Sequence, residues 1–254
     1  MNSTLFAAAA MAALALGMPA LGATAIQADI AAAIADPARP ESDRQLDPER
    51  KPAEMLELAK VKPGMRIMDL IPGGGYFTRL FAVAAGPKGF VYAYQPTELD
   101  GFLKGRTPPI VAVAEHYPNV SVIHASINAL VAPESLDLVW TSQNYHDIHD
   151  SFMAPADLGK VNRAVYAALK PGGMYVVLDH SAERGSGLRD TETLHRIDED
   201  VVRREVEEAG FTLAGSSNLL RNPQDSRKLK VFDPAIRHRT DQFILLFRKP
   251  GRGH

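Results

Sequence analysis

Seven short apolar runs punctuate the chain, and most are followed by a stretch with helical spacing. Met65–Leu70, Phe90–Tyr94, 120–126 (VSVIHAS), 136–143 (LDLVWTSQ), 174–180 (MYVVLDH), 211–220 (FTLAGSSNLL) and 242–250 (QFILLFRKP) read as strands. Residues 52–60 (PAEMLELAK), Tyr76–Ala85, 110–117 (IVAVAEHY), 155–169 and 198–210 (DEDVVRREVEEAG) read as helices, the last with a glycine stop at Gly210. In the first of these Pro52 suits the opening turn, and Met55, Leu56 and Ala59 share one face. LDLVWTSQ is continuously apolar rather than alternating, as when both faces of a parallel sheet are covered. Strands alternating with helices of this length predict an α/β fold, Rossmann-like and doubly wound, with a mostly parallel sheet. Right-handed crossovers then carry the strand C-terminal ends, and any ligand, to one edge.

The first crossover carries the most chemistry. The strand ending at Leu70 runs into Pro72-Gly73-Gly74-Gly75, a helix follows, and Gly86-Pro87-Lys88-Gly89 leads to the second strand. Glycines at that turn let a ligand approach the backbone beside free N–H groups at a helix start, which points to a nucleotide-like cofactor.

Residues 1–25 stand apart. LFAAAAMAALALGMPAL is uncharged and apolar, and Ala23-Thr24-Ala25 follows it. This reads as a secretory signal cleaved before Ile26, giving a periplasmic or secreted protein with no membrane span in the mature chain. The alternative is a single membrane anchor, for which about 17 apolar residues is the lower limit. Residues 26–51, rich in Ala, Asp, Arg and Pro, read as an extended N-terminal arm with short helical pieces, and 52–250 as one domain.

Composition narrows the field. A net charge of −2 gives no basic field for nucleic acid. The absence of cysteine excludes disulfides, thiolate metal sites and a cysteine nucleophile. No Gly-x-Ser-x-Gly elbow is present, which argues against serine chemistry.

Five segments occur in a familiar order: KPG (62–64), DLIPGGGYFT (69–78), LDLVWTSQNYHDI (136–148), ALKPGGMYVVLD (168–179) and REVEEAGF (204–211). Together they resemble class I S-adenosylmethionine-dependent methyltransferases, and more narrowly the bacterial "predicted methyltransferase" group that bears signal peptides. The resemblance implies a seven-stranded sheet with an antiparallel last strand, S-adenosylmethionine as cofactor, and a small-molecule substrate. It implies that Asp69, Gly73, Gly74, Gly75, Gln95 and Ser126 line the cofactor site. Three positions depart from the family pattern: Ile71 replaces the first glycine, and Gln95 and Ser126 stand where acids usually hold the ribose and the adenine amine. A neutral group in place of a carboxylate forfeits about 1.5–3 kcal/mol, so cofactor binding weaker than micromolar, or absent, is expected.

Methyl transfer needs alignment, and a base if the acceptor is an acid or hydroxyl. The polar residues after the strands are Asn144, His146, Asp147 and His149, then Asp179 and His180, with Glu183 and His195 further on. His146, His180 and Asp179 are the candidate catalytic group, with His146 orienting or deprotonating the acceptor. Asp179 equally reads as an acid satisfying backbone groups, His195 as a packing residue, and His149 with Asp150 as a solvated helix start. An N/O metal site from His146, His180, His195 and an acid is open, but separations of 34 and 15 residues match no compact ligand motif, so no metal is assigned. Residues 221–240 carry six Lys/Arg against two Asp and read as a basic lid or, more simply, a solvated insertion. The same sequence also fits an exported ligand-binding or metal-dependent protein that reuses the fold without methyl transfer.

Overall fold

The computed structural model describes residues 21–251, so residues 1–20 of the expected signal segment 1–25 lie outside it. One seven-stranded sheet organises the rest: β1 (Arg66–Leu70), β2 (Phe90–Pro96), β3 (Val120–Ala125), β4 (Leu136–Ser142), β5 (Leu169–His180), β6 (Thr212–Ser217) and β7 (Gln242–Arg248). Their spatial order is β3-β2-β1-β4-β5-β7-β6. β1 to β5 are parallel, and β7 runs antiparallel to both β5 and β6. This is the seven-stranded, doubly wound arrangement expected, with its antiparallel last strand. The KPGG turn expected ahead of the fifth strand lies inside β5 as a bulge, the pairing jumping from Leu136–Leu169 to Leu138–Met174.

The strand alternation explains why the central runs are apolar throughout. Leu138 and Trp140 of β4 enter one core layer, while Val139 enters the other. In β7, Ile244 and Leu246 face the first layer and Phe243, Leu245 and Phe247 the second. The first layer is closed by helices α1 (Leu21–Ala35), α2 (Pro52–Leu58), α3 (Tyr76–Ala85) and α4 (Ile110–His116), and the second by α5 (Leu158–Ala168) and α6 (Glu199–Glu208).

The N-terminal segment differs from the extended arm expected. α1 runs through it, burying Ile30 and Ala33 in the first layer, and two single-turn helices follow at Glu41–Arg44 and Asp47–Arg50. An alanine-rich run shows little amphipathic contrast, because alanine is neither strongly apolar nor polar, so its helical period is faint in sequence. Among the described residues no helix is long and apolar enough to cross a membrane.

The sheet order reverses between β1 and β4, the switch point of a doubly wound sheet. The glycine-rich turn leaves β1, and the loop from Gln143 to His149 leaves β4. Both sit at the C-terminal edge on either side of that crevice.

Candidate functional site

The glycine turn is held by side chains at its back. Asp69, buried near the end of β1, accepts a hydrogen bond from the Thr78 hydroxyl at 2.5 Å. Burial pushes its carboxyl up to about 7, against the opposing pull of Thr78 and the Arg50 cation. Ile71 takes a left-handed backbone, φ 59°, which is strained for a β-branched residue. Its N–H donates to the Tyr94 carbonyl at 2.9 Å, and its carbonyl accepts from the Asn144 amide at 2.7 Å. Asn144 is itself fixed by the Thr141 hydroxyl. The family's first glycine therefore matches a position whose left-handed backbone survives here with a side chain attached. Gly75, φ 82°, has no such latitude: a Cβ there would lie 2.8 Å from Val113 Cγ2. Beside Gly74 that space is open.

Gln95 is buried near the end of β2, and Ser126 directly follows β3. Glu98, which sequence reasoning passed over, accepts from the Ser126 hydroxyl at 2.6 Å and from the Ile127 N–H at 3.1 Å. A carboxylate thus reaches the end of β3 from the loop after β2, although Ser126 itself is neutral. The sequence signal was Glu98, one of two acids in TELD after the second strand.

The segment between α1 and α2 lies across this turn. Arg39 pairs with Asp47, which also accepts from the Tyr76 hydroxyl at 2.6 Å. Arg79 bridges Asp43 and the Gly74 carbonyl at 3.0 and 2.8 Å. The Arg50 guanidinium stands 4.5 Å from the Tyr76 ring centre and donates to Gln143 Oε1 at 3.4 Å. Arg50 brings a cation to the turn from a segment that carried no motif.

Across the crevice, His146 is almost wholly buried. Its backbone N–H donates to Asp179 Oδ2 and its ring Nδ1 bonds Asp179 Oδ1, both at 2.8 Å. Its Nε2 lies 3.1 Å from Asp147 Oδ1 and 3.2 Å from His195 Nδ1. Burial works against charge on this ring, but Asp179 and Asp147 outweigh it and lift its pKa to about 10. The two carboxylates thus favour the protonated ring, which donates from both nitrogens. Burial opposes ionisation of Asp147 too, yet His146 and His195 hold it down to about 2. His180 differs: its ring centre is 6.2 Å from that of His146, and its Nδ1 bonds the Thr240 hydroxyl at 2.7 Å. Burial pushes its pKa down to about 3, so it is neutral.

His146, His180, His195, Asp147 and Gln143 line one cavity of about 310 Å³, with Phe102 and Phe232 among its apolar walls. Asp179 stands behind His146 and is fully buried. The other candidates turn elsewhere. Glu183 pairs with Arg189 at the surface, and His149 with Glu205 at 3.3 Å rather than with solvent alone. In the basic segment, Arg221 and Arg227 are paired with Asp241, while Val231 and Phe232 reach the cavity. Asp147 and His195 were candidates from the sequence and Gln143 was not; their convergence involves left-handed backbones at Gln143 and His195, φ 63° and 53°, which sequence periodicity does not reveal.

No known protein-family profile matches the chain. The ubiquinone/menaquinone biosynthesis C-methyltransferase UbiE of Shewanella oneidensis is 31% identical over 136 residues, 53% of this chain and 50% of that protein. The corresponding protein of Shewanella frigidimarina is 29% identical over 136 residues. The chain thus spans about half the length of the curated relatives it matches. Among solved structures, a SAM-dependent methyltransferase from Aquifex aeolicus superposes with a TM-score of 0.54 at 18% identity, covering 83% of this chain and 98% of that one. The Burkholderia thailandensis 1,6-didemethyltoxoflavin-N1-methyltransferase, solved with 1,6-didemethyltoxoflavin and S-adenosylhomocysteine, gives 0.55 at 16% identity over 96% and 93%. The [4+2]-cyclase SpnF gives 0.54 at 17% identity over 82% and 81%. At these identities the likeness is one of fold.

Proposed function

We propose that this chain, which belongs by fold and by local sequence similarity to the class I S-adenosylmethionine-dependent methyltransferase family, transfers a methyl group to a small, ring-bearing acceptor held over His146. One observation carries the reading. The glycine turn after β1 and the loop after β4 that carries Gln143 and His146 are joined by the Asn144–Ile71 hydrogen bond and the Arg50–Gln143 contact. This supports a cofactor site and an acceptor site side by side at the switch point of the sheet.

The residues at the turn fit the cofactor. Asp69 and Arg50 bring a carboxyl and a cation near one another, partners for the ammonium and carboxylate of an amino-acid moiety. The open space beside Gly74 admits close approach to the backbone. Gln95 and Glu98 supply hydrogen-bonding groups further along the edge, Gln95 with no charge. When bound, S-adenosylmethionine supplies an electrophilic methyl on a sulfonium. The chain's task is alignment. Asp179 fixes the His146 ring so that Nε2 faces the cavity, and His146 orients the acceptor's polar atom. Phe102 and Phe232 give the cavity apolar walls against which a flat ring packs.

For location, the N-terminal apolar run supports export, with the mature N-terminus between Gly22 and Asp29. Ile30 and Ala33 then remain to anchor what is left of α1. Terminal sequencing of native protein tests this; an intact Met1 in the cytosol would refute it.

Calorimetry with S-adenosylmethionine and its demethylated product tests the function itself. Weak but saturable binding of both, abolished by Gly74→Ala, supports methyl transfer. No binding of either favours the second reading, an exported ligand-binding or metal-dependent protein. The SpnF likeness shows the fold in a protein described by another reaction.

A further inference from the structure

His146 Nε2, Asp147 Oδ1 and His195 Nδ1 form a closed triangle with edges of 3.1, 3.2 and 3.5 Å. We propose that these three side chains hold a divalent transition-metal ion of the zinc type at the floor of the cavity, its remaining position open to the bound small molecule. The dimensions fit: donors at 2.0–2.1 Å from a tetrahedral ion are about 3.3–3.4 Å apart. Two imidazoles and one carboxylate make a borderline N/O set suited to zinc or its neighbours, and poor for calcium or magnesium. Three protein ligands with an open position are the arrangement of catalytic rather than structural zinc.

The surroundings are built to match. Asp179 accepts from His146 Nδ1, the carboxylate–histidine support that fixes a ligand ring and its tautomer. Asp179 is held in turn by the backbone N–H groups of His146 and His180, at 2.8 and 2.7 Å. His195 presents Nδ1 from a left-handed backbone at φ 53°, the kind of strained conformation that clusters at functional sites. The cavity supplies an entry path. His180 is not a member of the set: the donor atoms that converge are those of His146, Asp147 and His195, so this differs from the three-histidine grouping considered from sequence. On the methyl-transfer reading, the open position takes an acceptor oxygen and favours its anionic form.

The test uses untagged full-length protein, stripped with EDTA and dialysed, then titrated with ZnCl2 by calorimetry and with CoCl2 by visible absorption. One ion per chain and the absorption of a four-coordinate N/O cobalt site are expected. Asp147→Asn and His195→Ala should each abolish the stoichiometric site. Asp179→Asn should weaken it by about 10- to 100-fold, and His149→Ala should leave it unchanged. Circular dichroism checks folding, and Asp147→Asn, nearly isosteric, keeps the test decisive should His195→Ala misfold. Substoichiometric uptake by wild type, uptake surviving the ligand variants, or uptake lost in His149→Ala would overturn the proposal. No S-adenosylmethionine is present in the titration, so failure here leaves the methyl-transfer reading intact, and the reverse also holds.

Discussion

Asp179 uses both carboxylate oxygens on His146, one on its backbone N–H and one on its ring Nδ1, each at 2.8 Å. The histidine's backbone position and its ring orientation are thus fixed by one buried side chain on the neighbouring strand. An asparagine retains one acceptor and puts an NH₂ against a donor at the other oxygen's place. Asp179→Asn should therefore cost about 1–3 kcal/mol, the penalty of an unpaired buried polar group, seen as a lower denaturant midpoint. It should slow methyl transfer while leaving the S-adenosylmethionine Kd close to wild type. Unchanged stability together with unchanged turnover would remove Asp179 from the site.

The glycines separate packing from ligand approach. In Gly75→Ala the new methyl would sit 2.8 Å from Val113 Cγ2 and 3.0 Å from Ile110 Cδ1 at a φ of 82°. Left-handed strain adds roughly 1–2 kcal/mol and overpacking typically about 1–3 kcal/mol, so a large fall in melting temperature is expected. Gly74 lies outside the left-handed region, and nothing stands within 4 Å of its absent Cβ. Gly74→Ala should leave the melting temperature unchanged yet lower cofactor affinity sharply. Full affinity in that variant would show that no ligand approaches the turn there.

Much of this was legible from the order of apolar runs. Residues 138–140 of LDLVWTSQ and 243–247 of QFILLFRKP are apolar without alternation because successive residues enter two different core layers, and that pattern survives in one dimension. The glycine turn was visible for a similar reason, since its residues are consecutive. Arg50 and Glu98 were not, because each acts on groups distant in sequence: Arg50 on Asp69 and Gln143, Glu98 on Ser126. Their placement depends on where a single-turn helix and a strand-exit loop fall, which is tertiary information. His195 was visible as a candidate, but its approach to Asp147 depends on a backbone angle that no residue pattern encodes.

Gln95 offers a gain-of-affinity test. On the proposed reading it faces the cofactor's ribose, and it is buried. Gln95→Asp should tighten S-adenosylmethionine binding tenfold or more, the equivalent of about 1.5–3 kcal/mol from a charge-assisted bond. Without cofactor the same variant should melt lower, since a carboxylate is placed in a buried site. Calorimetry and a melting curve read the two effects separately. An unchanged Kd would show that the cofactor's hydroxyls lie elsewhere.

Asp69 should write a pH dependence into stability. Its carboxyl is raised from 3.8 to about 7 in the fold, chiefly by burial. Below about pH 4 both folded and unfolded chains carry the proton, and the full stability is present. As the pH rises, the unfolded chain releases its proton first, so unfolding becomes progressively easier until the folded carboxyl ionises near pH 7. Over that window the loss is on the order of 4 kcal/mol. Asp69→Asn cannot ionise and still accepts from Thr78, so its stability should exceed wild type at pH 8 by more than it does at pH 4. Urea unfolding of both proteins at the two pH values measures this difference, with the other titrating groups cancelling. Replacing Arg50 by Met removes the cation that opposes the shift. The steep region of the wild-type curve should then extend to higher pH. A difference between wild type and Asp69→Asn that stays constant from pH 4 to pH 8 would mean that Asp69 ionises in the fold as readily as in water.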